Sequence, residues 1–66
     1  MRIFLNNQAL DILKEESLKE VLLHQNIPCQ GTALALNNQV IAKDLWASTY
    51  LSEGDKLMVI RASCGG

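Results

Sequence analysis

The chain ends Arg61-Ala62-Ser63-Cys64-Gly65-Gly66, and most of what it could offer to chemistry is gathered there. A carboxylate on Gly66 has an ordinary pKa of about 3.3 to 3.7, so it is ionised at neutral pH and is a poor electrophile until something activates it. Gly65 and Gly66 carry no Cβ, which lets the pair thread a narrow channel and adopt backbone angles closed to other residues. With glycine at about 7% of residues, two in the final positions arise by chance in about 0.5% of chains. A frayed end is the plainer explanation, but it gives the glycines no use. The residues suggest acyl chemistry at Gly66, carried on a tail slender enough to enter another protein's active site.

Cys64 is the competing group, a thiol close to that carboxylate. Nothing near it in sequence lowers its pKa, so it is ranked below Gly66 and assigned to the threading tail with Gly65. The other cysteine, Cys29, reads as a small core or loop residue. The two match neither a C-x-x-C redox pair nor a zinc motif, and His24 is the single histidine available to help. The opening MRIFLNN has too few apolar residues for a secretory signal, which places the protein in the reducing cytoplasm and argues against a Cys29–Cys64 disulfide. His24 is expected at a helix end, its ring near free carbonyls, and Trp46 is expected to cap the core.

A tail of this kind needs a compact body to present it. Residues 2 to 6 alternate, with Ile3 and Leu5 on one face and Arg2, Phe4 and Asn6 on the other, as in a strand. Asn6-Asn7 supplies a tight turn, because Asn tolerates left-handed backbone, and residues 8 to 13 return as a second strand. Ser17-Leu18-Lys19-Glu20 has the spacing of a capping box. A helix therefore starts there, places Leu18, Val21, Leu22 and Gln25 at helical spacing with Leu23 widening the apolar side, and stops by about residue 26 ahead of Pro28.

Residues 32 to 36 and 39 to 42 read as two short strands around Asn37-Asn38. Residues 43 to 46 suit a single helical turn. Ser52-Glu53-Gly54-Asp55 marks a turn before a last strand at residues 56 to 61. The order strand, strand, helix, strand, strand, strand predicts a two-layer α+β domain. If Ile3, Leu5, Leu57 and Val59 face the helix, alternation sends Phe4, Met58 and Ile60 to the opposite sheet face, where they could form an apolar docking patch.

Size and composition set the limits. At 66 residues the chain is a single domain, too small for a sizeable enclosed cavity, which favours binding or carriage over enzymatic catalysis. Hydrophobic residues at 48% and charged residues at 20% are the balance of an ordinary globular domain. Six basic and seven acidic residues give a net charge of -1 without a basic cluster, so nucleic acid is not an expected partner. No apolar run approaches the roughly 18 residues of a membrane span, so no membrane partner is expected either.

Across essentially its whole length the chain resembles the ubiquitin-like β-grasp fold. MRIFLNN is similar to the opening strand of that fold, and Glu53-Gly54-Asp55 with the final Gly65-Gly66 is similar to its sulfur-carrier branch. The segment ALALNNQVIAKDLW, including Trp46, most resembles the thiamine-biosynthesis sulfur carriers. The resemblance implies a mixed five-stranded sheet packed on one main helix, with residues 1–62 as the β-grasp domain and 63–66 as a flexible diglycine tail.

It also implies a carrier that is not itself an enzyme. A ubiquitin-activating-type adenylyltransferase would use MgATP to adenylate the Gly66 carboxylate. A persulfide sulfur donor would then lead to a thiocarboxylate on Gly66, and thiazole synthase would receive the sulfur. The carrier itself would bind no cofactor and no metal. Carriers for molybdopterin or tRNA thiolation resemble the same fold and tail, and a ubiquitin-like protein modifier is the alternative from another class. The Ala62-Ser63-Cys64 run lacks the basic residues of a ubiquitin tail. A module that only binds is the third possibility.

Overall fold

A computed structural model of the chain describes residues 1–61. The elements in chain order are β1 (Arg2–Leu5), β2 (Gln8–Asp11), α1 (Leu18–His24), β3 (Thr32–Leu36), β4 (Gln39–Ile41), a 3-10 turn (Lys43–Leu45) and β5 (Lys56–Arg61). The five strands form one sheet in the order β2-β1-β5-β3-β4. β1 and β5 are parallel, and the other neighbours are antiparallel. This is the mixed sheet expected of the ubiquitin-like β-grasp class.

Both hairpins turn on asparagine pairs. Asn6 and Asn7 have φ of 50° and 68°, and Asn37 and Asn38 have φ of 50° and 71°, so both residues of each pair are left-handed, as in a two-residue I′ turn. The first asparagine of each pair does more. Asn6 Oδ1 accepts the Val59 amide at 2.8 Å, continuing the parallel contact of β1 with β5 past the end of β1. Asn37 Oδ1 accepts the Lys56 amide at 3.0 Å, and its Nδ2 donates to Asp55 at 3.1 Å.

The capping box forms as the sequence predicts: Ser17 Oγ accepts the Glu20 amide at 3.2 Å, and Glu20 Oε1 accepts the Ser17 amide at 2.9 Å. That bond to the Ser17 amide, first among its causes, holds the Glu20 carboxyl below its usual pKa. The amides of Leu18 and Lys19 donate to the carbonyls of Thr49 and Trp46. Every amide of the first helical turn is therefore occupied, and the segment near residues 46–51 is fastened to the helix start.

At the other end Asn26 is left-handed at φ 59°, the Asn26 amide donates to the Leu23 carbonyl, and the Ile27 amide donates to the Leu22 carbonyl. This Schellman arrangement takes up the last carbonyls. His24 is the last residue of α1, as expected, but its ring does not meet the free carbonyls: Nδ1 lies 2.9 Å from Oε1 of the buried Glu16.

Ile3, Ile12, Leu18, Val21, Leu22, Leu34, Trp46, Leu51 and Leu57 form the core between sheet and helix. Leu5 and Val59 pack against it, completing the inner face. Three sequence expectations shift at this level. β2 ends at Asp11 and not at residue 13, leaving Ile12 buried and Leu13 fully exposed. Leu23 is exposed, because it lies about 100° around the helix from Leu22 and misses the sheet. Gln25 is the C-cap and is exposed, not part of the buried face.

Candidate docking face and tail root

The outer face of the sheet is built by alternation from the inner one. Antiparallel register pairs Phe4 with Ala9, Met58 and Val40 each with Ala35, and Ile60 with Ala33. Directly opposed residues share a face, so these side chains form one apolar surface behind the core. Phe4 is half-buried, whereas Met58, Ile60 and Val40 are exposed by 41%, 51% and 72%. Alanines between them keep the surface low, which leaves the larger side chains standing as separate knobs.

Phe4, Met58 and Ile60 are thus brought to one face. Sequence reasoning missed Val40, Ala33 and Ala35, although a signal was available. With Leu34 and Leu36 inward, Ala33 and Ala35 must point outward, and a two-residue Asn37-Asn38 turn sets Val40 opposite Ala35. The charged residues at the rim are Lys56, opposite Phe4, and Arg2, whose Nε donates to Asp11 at 2.9 Å. That ion pair lowers the Asp11 pKa and raises that of Arg2, through the hydrogen bond first and the charge second.

The start of β5 is fixed by the turn that precedes it. Glu53 accepts the Arg2 amide through both carboxylate oxygens, at 3.1 and 3.2 Å. Gly54, at φ 82°, donates its amide to the Arg2 carbonyl at 2.8 Å. The Asp55 carbonyl accepts the Phe4 amide, while its carboxylate accepts the Ser52 amide and the Asn37 side chain. Glu53-Gly54-Asp55 is consequently the tie between β1, β5 and the β3–β4 hairpin. β5 then runs along the sheet to Arg61, which pairs with Thr32.

Cys64, Gly65 and Gly66 lie outside the described residues, as does the assignment of 63–66 as a tail. Cys29 is a free, half-buried thiol packed against the core. Trp46 is buried and its Nε1 donates to the Ile41 carbonyl at 3.0 Å, so it closes one end of the core. Among the described residues there is no cluster of three potential metal ligands and no helix long and apolar enough to cross a membrane.

Known proteins resemble this arrangement. The chain is 29% identical to the sulfur carrier protein ThiS of Escherichia coli strain K12, over all 66 residues and the full length of both proteins. A crystal structure of the thiamine biosynthesis protein ThiS from Geobacter metallireducens superposes with a TM-score of 0.88 at 17% identity, covering both chains completely. A solution structure of a thiamine biosynthesis protein from the same organism gives 0.82 at 19% identity, covering all of this chain and 88% of the other. The structures establish the shared fold, and the model of the ThiS family matches from Ile3, the first buried residue of β1, through Gly66 of the diglycine; the chain belongs to the ThiS family.

Proposed function

We propose that this chain is the sulfur carrier for the thiazole moiety of thiamine, with the Gly66 carboxylate as its working group. The observation that carries the reading is the family match running through Gly66, on a fold that pairs the last strand with β3 up to Arg61. The carrier supplies an acyl group and a docking surface; its partners supply the catalysis.

An adenylyltransferase of the ubiquitin-activating type joins the Gly66 carboxylate to AMP from MgATP, releasing pyrophosphate. A persulfide donor attacks the acyl carbon and AMP leaves with the electron pair of the broken C–O bond. A further thiol cleaves the resulting acyl persulfide at its S–S bond, giving a thiocarboxylate and a disulfide. Thiazole synthase then takes the sulfur. Phe4, Met58 and Ile60, with Val40, dock the partners, while Cys64 and Gly65 thread the channel. MgATP belongs to the adenylyltransferase, and the carrier binds neither cofactor nor metal. The proposed site of these steps is the cytoplasm.

Intact-mass measurement of the protein from its own host, with the pathway active, tests this reading. A mass increase equal to exchange of one oxygen for sulfur, localised to Gly66, is the expected result. Lysine adducts would instead mark a protein modifier, and the absence of both would remove the carrier reading. Molybdopterin and tRNA thiolation are distinguished by which auxotrophy deletion of Gly66 produces, thiamine being expected.

A further inference from the structure

Lys19 of α1, Cys29 of the following loop, and Lys43, Asp44, Trp46 and Ala47 around the 3-10 turn surround a cavity of about 230 Å³ that opens to solvent. None of them belongs to the outer sheet face. The two ammonium groups come from different elements, and among the described residues neither makes an ion pair, with Asp44 included. Two ammonium groups and one carboxylate therefore line a single concavity, leaving it with a formal charge of +1.

Trp46 and Ala47 supply the apolar part of the lining. Trp46 is only 3% exposed and its ring N–H is committed to the Ile41 carbonyl. The Lys43 Nζ stands 5.9 Å from the centre of that ring. The helix start contributes no donors, because its amides are already taken by Thr49, Trp46 and Ser17.

We infer that this cavity binds a small organic phosphate monoester. The phosphoryl oxygens sit between the ammonium groups of Lys19 and Lys43, the carbon stem lies against Trp46 and Ala47, and Asp44 accepts from a hydroxyl of the stem. Charge selects the phosphate, because a monoester carries about -1.5 to -2 at neutral pH and matches both lysines, whereas a monocarboxylate matches one. Lysine holds such a group as a point charge. Volume accommodates the stem: about 230 Å³ has room for a phosphoryl group and a short carbon chain. The occupant lies near the tail root, since the Thr32 amide bonds to the Cys29 carbonyl and Thr32 pairs with Arg61. This inference stands apart from the sulfur-carrier reading.

The test uses the full chain with Cys64→Ser, so that Cys29 is the single thiol, and titrates it with glycerol 3-phosphate, inorganic phosphate and glycerol while recording backbone amide shifts. Glycerol 3-phosphate is expected to saturate near or below about 1 mM, with shifts centred on Lys19, Cys29, Lys43 and Ala47. It should also slow alkylation of Cys29 by iodoacetamide at least about fivefold at saturation. The Lys19→Gln/Lys43→Gln double variant should weaken binding by about tenfold or more, and glycerol should give nothing. Shifts spread equally over Lys14 and Lys56, no saturation with the ester, or equal affinity for inorganic phosphate would each overturn the inference.

Discussion

Single side chains in this protein often replace backbone, and the asparagine turns separate that role from conformation. Asn6 and Asn7 are both left-handed, yet only Asn6 accepts a bond from β5. Glycine meets the conformational demand at either position, so comparing the two Gly variants isolates the hydrogen bond. Asn6→Gly is expected to destabilise by about 1 kcal/mol more than Asn7→Gly, read as a difference in urea midpoint at unchanged m-value. Gly54 gives the complementary case. A Cβ there would meet nothing within 4 Å, so Gly54→Ala has only its left-handed φ to overcome, a cost of about 1–2 kcal/mol. If Gly54→Ala proved neutral in thermal unfolding, the positive φ would not be an obligatory feature of the turn.

At the scale of elements, α1 was the most legible. The Ser17 and Glu20 spacing predicts its start, and Ser17→Ala should cost about 0.5–2 kcal/mol in denaturant unfolding. The same box gives a pH dependence. Since folding lowers the Glu20 pKa, its contribution is present above the usual value of 4.5 and is lost as pH falls through the lower folded value. Asp11, lowered by Arg2, adds in the same direction below 3.8. Glu20→Gln keeps an acceptor for the Ser17 amide but cannot titrate, so its stability should decline less between neutral and acid pH than that of the parent; a parallel decline would dissociate Glu20 from the acid sensitivity.

The helix end was harder to read, because a Schellman motif depends on Asn26 becoming left-handed, and only that geometry reveals why His24 turns to Glu16. Strand edges were blurred for a similar reason. Ile12 continues the apolar pattern of β2 and bonds to Met1, but Leu13 projects into solvent, and nothing in residues 8 to 13 marks the break. The inner and outer sheet faces, by contrast, follow from a period of two once Ile3 and Leu57 are set inward. Val40 escaped because its placement required joining the turn type to the register across it.

For the whole molecule, the division into layers separates the core from the proposed docking face. The inner side of the sheet is occupied by the helix, so the outer side can meet a partner without disturbing the core. Met58, Ile60 and Val40 stand out on that side, while Leu23 is comparably exposed on α1. Under the proposed function, Val40→Asp or Ile60→Asp should raise the KM for adenylation by the partner enzyme about tenfold or more, equivalent to about 1.4 kcal/mol of lost binding, with little change in kcat. Leu23→Asp should leave that KM unchanged, since it adds the same charge to a surface facing away from the docked sheet. Thermal unfolding of each variant separates lost docking from lost folding. A KM that rises equally for Leu23→Asp would point to a general charge effect, and unchanged KM for both Val40→Asp and Ile60→Asp would remove the outer face from the recognition surface. The contrast depends on the two-layer architecture: β5 contributes Leu57 to the core and Met58 and Ile60 to the outer face within one strand, then leads directly toward the glycines on which the acyl chemistry is proposed to occur.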